Sequence, residues 1–188
     1  MGWTLMWRQS HRQFTEKYDS GIRQLIKSIY LKPCEMYLEK EPAVVSTVLG
    51  SCVSVIMFWS AAKIGGMCHA MLPLANFSVV GNNPSHVNKF VDSSITYMHS
   101  RFSVWGAVPS EIEVKVFGGA DMFRTESGKI KRETIGAKNI QAAFAALSAL
   151  GYKITAQDVG GDSGRKLYFY SSEGRVFMKS LRNTMDAG

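Results

Sequence analysis

Residues 43–62 read AVVSTVLGSCVSVIMFWSAA, and the assignment of this uncharged run decides the fold. A run of this length could cross a bilayer as one helix. Its composition argues otherwise. Ser46, Thr47, Gly50, Ser51, Ser54 and Ser60 interrupt it, and its apolar residues are largely β-branched or aromatic, as in buried strands. We read two strands around a tight Gly50-Ser51 turn.

Working outward, EMYLE (35–39) and KIGGMCHAML (63–72) are further strands, the latter with a glycine pair before its second half. Gly65 and Gly66 allow close backbone approach between this strand and its neighbour. Asn83-Pro84 is a helix start, an N-cap followed by proline at the first helical position. Val87, Phe90, Val91, Ile95, Met98 and Phe102 then recur at helical spacing, which lays one apolar face on a sheet. EIEVKVFGG (111–119) alternates as a strand, and GAKNIQAAFAALSAL (136–150) is a second helix ending at Gly151. YKITAQDV (152–159) is a strand, and RKLYFY with RVFMKS, joined by SSEG, forms a terminal hairpin. Toward the N-terminus, GIRQLIKSIYL (21–31) has helical spacing through Ile22, Leu25, Ile26 and Ile29. Residues 1–32 therefore read as an extension, helical or flexible, ahead of one domain over residues 33–183. Few helices and many strands, in an order unlike regular βαβ winding, predict an α+β sandwich with helices covering a mixed, mostly antiparallel sheet.

Composition narrows the function classes. Of 188 residues, 46% are hydrophobic and 20% charged, enough apolar material for one packed core. The formal net charge of +7 favours encounter with acidic surfaces, yet the basic residues are scattered and no aromatic-flanked basic motif occurs, so nucleic-acid binding is not expected. The first residues lack an apolar stretch leading to a cleavage site, so export is not expected either. Cys34, Cys52 and Cys68 are odd in number and include no C-x-x-C pair, which fits a reducing, cytoplasmic setting and excludes a thiolate zinc finger.

Cys52 then poses the chemical question. It is a buried thiol, half of a metal site, or a nucleophile with His69 as its base. A thiolate attacks a carbonyl carbon, and a neighbouring imidazole takes the thiol proton and later protonates the leaving nitrogen. The turn ending in Gly50, Ser51 and Cys52 could present the sulfur at a strand end, with its backbone N–H groups holding an oxyanion. Each residue alone is more commonly structural, a small core hydrophobe or a hydrogen-bonded imidazole. FGGADM and GGDSGR fit neither phosphate-binding glycine pattern and read as tight turns. Asp121 and Asp162 have no partner at ligand spacing, so no metal and no cofactor is expected.

VVSTVLGSCVSV, IGGMCHAMLP, VKVFGGADMF, IGAKNIQAAFAALSALGYKI and DVGGDSGRKLYFYSSEGRV together resemble, in order and spacing, the CheD family of chemoreceptor glutamine deamidases, over about residues 30 to 180. The resemblance implies a three-layer α/β sandwich similar to the catalytic domain of cytotoxic necrotizing factor toxins. It implies a catalytic cysteine in the GSC turn, here Cys52, and a histidine in the glycine-pair block, here His69. A hydroxyl residue six positions before the cysteine, usually threonine, completes the site; that position is Ser46, with Thr47 the alternative, and on a strand only one of the two can reach His69. The sequence departs from the family in having Cys34 where glycine is frequent, Cys68 where asparagine is common, and Ser60 where aspartate is frequent. Cys68 is expected to point away from the site. The resemblance further implies that Phe117, Phe123 and Arg165 contact substrate or partner, that the substrate is the cytoplasmic helices of a chemoreceptor, and that a CheC-type phosphatase can dock. The protein is expected to be monomeric alone and not membrane-inserted.

Overall fold

The computed structural model describes residues 26–75, 87–121 and 134–181. Two strands do flank the Gly50-Ser51 turn, but they do not pair with each other. Strand β3 (Ala43–Leu49) lies in one sheet with β1 (Lys27–Tyr30), β8 (Gly164–Tyr170) and β9 (Arg175–Leu181), in the order β1-β3-β8-β9. Strand β4 (Val53–Trp59) lies in a second sheet with β2 (Met36–Glu39), β5 (Ile64–Cys68), β6 (Ile112–Gly118) and β7 (Ile154–Val159), in the order β2-β5-β4-β6-β7. Both sheets are mixed: β1 runs parallel to β3 and β6 parallel to β7, and the other pairs are antiparallel. Two helices, α1 (Val91–Val104) and α2 (Ile135–Ala149), complete the described elements together with a 3₁₀ turn at Pro109–Glu111.

The burial pattern sets the layers. Between the sheets lie Leu31, Val45, Leu49, Ile56, Met67, Phe117, Leu167 and Phe169. On the other face of the second sheet, Val53, Val55, Met57, Val114 and Val116 pack against Ile95, Met98 and Phe102 of α1 and Ala143 and Leu147 of α2. The order is sheet, sheet, helices. Strand β4 is central in the second sheet and buried on both faces, which is why its sequence is continuously apolar instead of alternating. Gly65 serves this sandwich in a way the sequence did not suggest: a Cβ there would meet Phe169 Cζ of the opposite sheet at 2.5 Å, so the close approach is between sheets.

Helix α2 follows its sequence signals, and α1 does so only from Val91 onward. The apolar positions Val91, Ile95, Met98 and Phe102 are fully buried, but Phe90, expected within the helix, is extended (φ -108°, ψ 142°) and bridged to Leu72, so the helix starts after it; Asn83-Pro84 lies outside the described residues. Thr134 caps α2 by accepting from Ala137 N, and Gly151 follows its C-cap with φ +79°. The expected helix over residues 21–31 is not found in its described part. Lys27–Tyr30 instead pairs with Ala43–Ser46, and Leu31 N donates to Ser46 O at 2.8 Å. These hydrogen bonds outweigh a short apolar spacing that had no cap at either end, and residues 27–31 belong to the sandwich.

Candidate active site

The Gly50-Ser51 turn carries the chain from one sheet to the other, which leaves Cys52 at the rim between them. Two bonds fix the register there: Val53 N donates to Ala70 O at 3.0 Å and Ala70 N to Val53 O at 2.9 Å. Val53, Ala70 and Cys68 all belong to the helix-side core, and Cys52 packs on the core between the sheets. By alternation His69 shares the face of Cys52, one step to the other side of the Val53 and Ala70 pair. Cys68 faces the helices, as expected; it is fully buried, and burial pushes its thiol up to about 11.

The glycine-rich end of β6 holds the turn that carries Cys52. Gly119 N donates to Cys52 O at 2.8 Å and Ala120 N to Gly50 O at 2.9 Å. This requires Gly118 in a left-handed conformation, φ +106°, where a Cβ would stand 2.2 Å from Cys52 O. The two carbonyls are thereby turned away, and no backbone carbonyl among the described residues accepts from Ser51 or Cys52 N–H.

Across the sandwich, β3 offers two neighbouring hydroxyls to opposite faces. Ser46, half-buried, points outward to Ile29 O at 3.4 Å. Thr47 is fully buried, and its Oγ1 stands 2.7 Å from His69 Nδ1 and 2.8 Å from Leu31 O. The hydroxyl beside the imidazole is therefore that of Thr47, and Ser46 is corrected accordingly: Val45, Thr47 and Leu49 form the inward face of β3. A threonine hydroxyl has one proton, and Leu31 O can only accept it, so Oγ1 accepts from His69 Nδ1–H. This network assigns the tautomer and leaves Nε2 unprotonated. Burial pushes the His69 imidazolium below 6.5, partly offset by the Leu31 carbonyl and by the charge of Glu35. Burial likewise raises the Cys52 thiol, with Cys34 adding to the effect and the Cys52 backbone N–H opposing it. Both shifts favour the uncharged forms, thiol and neutral imidazole.

Other residues complete or leave the site. Cys34 occupies a left-handed conformation, φ 67°, which a glycine would adopt without the Cβ penalty. Its N–H donates to His69 O at 2.8 Å, and its Sγ lies 3.4 Å from Met71 Sδ. Phe117 and Arg165 do not present contact surfaces. Phe117 fills the core between the sheets, and Arg165 turns its guanidinium inward onto Asp158 Oδ1 at 2.6 Å, Gly160 O at 2.8 Å and Ser163 O at 3.1 Å. Phe123 lies outside the described residues. The cleft lined by Pro109, Glu111, Ile112, Lys153 and Thr155 sits at the opposite end of β6 from Gly118, about 20 Å away at strand rise. Among the described residues no cluster of three or more His, Cys, Asp or Glu could hold a metal ion, and no helix is long and apolar enough to cross a membrane. Sequence reading missed Leu31, whose contribution is a backbone carbonyl, and the role of the FGGA turn as a clamp on Cys52. The clamp could have been sought in the glycine pair, but nothing in the side chain of Leu31 signals its carbonyl.

Comparison with known proteins addresses the same architecture. Residues 71–180 match the family model described as CheD chemotactic sensory transduction. A protein of Geobacter sulfurreducens, named "Probable chemoreceptor glutamine deamidase CheD 2", is 41% identical over 157 residues, covering 83% of this chain and 91% of its own. A protein of Maridesulfovibrio salexigens, named "Probable chemoreceptor glutamine deamidase CheD", is 36% identical over 162 residues, covering 85% of this chain and 95% of its own. One from Methanococcus maripaludis with that same name is 34% identical over 140 residues, covering 74% and 86%. By both the family model and these relatives, the chain belongs to the CheD family.

Proposed function

We propose that this protein is a chemoreceptor glutamine deamidase that hydrolyses the side-chain carboxamide of receptor glutamines in chemotactic adaptation, in the cytoplasm, with Cys52 as nucleophile and His69 as base. The observation that carries the reading is the Leu31, Thr47 and His69 hydrogen-bond chain, which leaves Nε2 of a neutral imidazole as an acceptor on the face it shares with Cys52. The names of the relatives supply the substrate class.

In the mechanism, His69 Nε2 takes the Cys52 proton as the sulfur adds to the carboxamide carbon. The Ser51 and Cys52 amides stabilise the resulting oxyanion. Imidazolium returns its proton to the nitrogen, the C–N bond breaks, and ammonia leaves a glutamyl thioester on Cys52. Water, deprotonated by His69, adds to the thioester; the C–S bond breaks, glutamate departs, and the thiolate recovers the proton from His69. Thr47 holds the imidazole in one tautomer and orientation throughout.

The sheet, sheet, helix order supports the reading that the fold is that of the cytotoxic necrotizing factor catalytic domain, and superposition on such a domain tests it. A CheC-type phosphatase is the docking partner that the family reading carries, to be checked by co-elution. The function itself is tested by peptide mass spectrometry of a chemoreceptor cytoplasmic fragment after incubation with the wild type, Cys52→Ala and His69→Ala. Conversion of particular glutamines to glutamate by the wild type alone is expected. Equal conversion by Cys52→Ala rules the reading out.

A further inference from the structure

Helix α2 buries one polar side chain, Asn139, alongside Gly136, Ala142, Ala143 and Leu147. Asn139 is fully buried, one helical turn in from Gly136, on the face that meets the nucleophile turn. Its Nδ2 donates to Ser51 O at 2.9 Å and to Met71 O at 2.9 Å. Ser51 directly precedes Cys52, and Met71 follows His69 by two positions. The Val53 and Ala70 pair is where backbone pairing between these segments ends, so one side-chain amide bridges them beyond the last ladder bonds. Gly136 brings the helix in: a Cβ there would meet Gly119 O at 2.5 Å, and Gly119 N is the group that holds Cys52 O.

The bridge is costly for a structural spacer. Asn139 Oδ1 is buried with no hydrogen-bond partner among the described residues, whereas a leucine of similar size would fill the space without burying an unpaired acceptor. Both good bonds of the side chain are spent on the segments that bear the thiol and the imidazole. We propose that Asn139 is a positioning residue, setting the place of Cys52 relative to His69. The role rests on the deamidase reading for its purpose, but its geometry is independent of the substrate.

The test is the pH profile of Cys52 alkylation by iodoacetamide in the full chain, for wild type, His69→Ala, Asn139→Leu and Asn139→Ala, with melting temperatures alongside. The wild type should show an alkylation component that disappears in His69→Ala. Asn139→Leu should lose that same component while remaining folded, and Asn139→Ala carries the comparison if the leucine variant does not fold. On a receptor fragment, kcat should fall about 100-fold, as expected for a small misplacement of reacting groups, with KM unchanged because the side chain touches no substrate. An unaltered His69-dependent component in folded Asn139 variants overturns the positioning role and leaves the deamidase reading standing. A wild-type profile indifferent to His69→Ala overturns the pairing of Cys52 with His69, and the positioning role with it.

Discussion

Thr47 has one hydroxyl proton, which it donates to the Leu31 carbonyl; the tautomer of His69, and hence which nitrogen is left as an acceptor, follows from that single donation. Thr47→Val keeps the shape of the side chain and removes both bonds. It should lower kcat by at least about 100-fold, the low end of what a positioned acid–base group contributes, while Ser46→Ala should stay within about twofold of wild type. Steady-state kinetics on a receptor fragment separate the two, and the reverse order would restore Ser46 to the site. Burial lowers the imidazolium pKa, so the acid limb of kcat/KM, which titrates the free enzyme, should have its midpoint below 6.5. The choice between neighbouring hydroxyls was not legible in AVVSTVL, because both faces of that strand carry valine or leucine. Only the packing of Val45 and Leu49 against the second sheet decides which face turns inward.

Among the elements, the β6 end is the one whose failure should reach Cys52. Gly118→Ala places a methyl group onto Cys52 O in a backbone conformation that alanine resists. The variant should lose more than about 2 kcal/mol of stability, and its folded fraction should be poorly active. Gly151→Ala, also at positive φ but with open space around it, should cost only about 1 kcal/mol and leave activity intact. Denaturant melts of both variants check this; equal costs would mean that steric contact at Cys52 is relieved elsewhere. The strands themselves were legible from β-branched runs, and the helices from apolar spacing and, for α2, from its end at Gly151. Strand β1 was not, since Ile26 and Ile29 fit a helix as well as a strand over so short a span, and its partner β3 is more than a dozen residues distant. Nor did the Gly50-Ser51 turn announce that it changes sheets. A tight turn between two strands reads as a hairpin unless the pairing of each strand is known.

Across the whole molecule, pH should mark stability at both ends. On the alkaline side, Cys68 is raised to about 11 from 9.0 in the folded state, so it favours folding fully below pH 9 and ceases to do so as pH rises through 11. The difference is about 2–3 kcal/mol by linkage. Cys68→Ala should therefore flatten the loss of stability between pH 9 and 11 relative to wild type, although it is less stable at pH 7 through lost packing. Parallel slopes would mean that the thiol is not sequestered as the helix-side core implies. On the acid side, the lowered His69 pKa makes its contribution complete above 6.5 and lost as pH falls through the folded value.

Hydroxylamine added during turnover of a receptor fragment tests the proposed acyl intermediate on Cys52. A thioester on Cys52 is intercepted as a glutamyl hydroxamate at the same glutamines that otherwise become glutamate, and mass spectrometry reads both products. The account predicts hydroxamate with wild type and neither product with Cys52→Ala. Glutamate formation that persists in Cys52→Ala, or proceeds in wild type without any hydroxamate at saturating hydroxylamine, would contradict it.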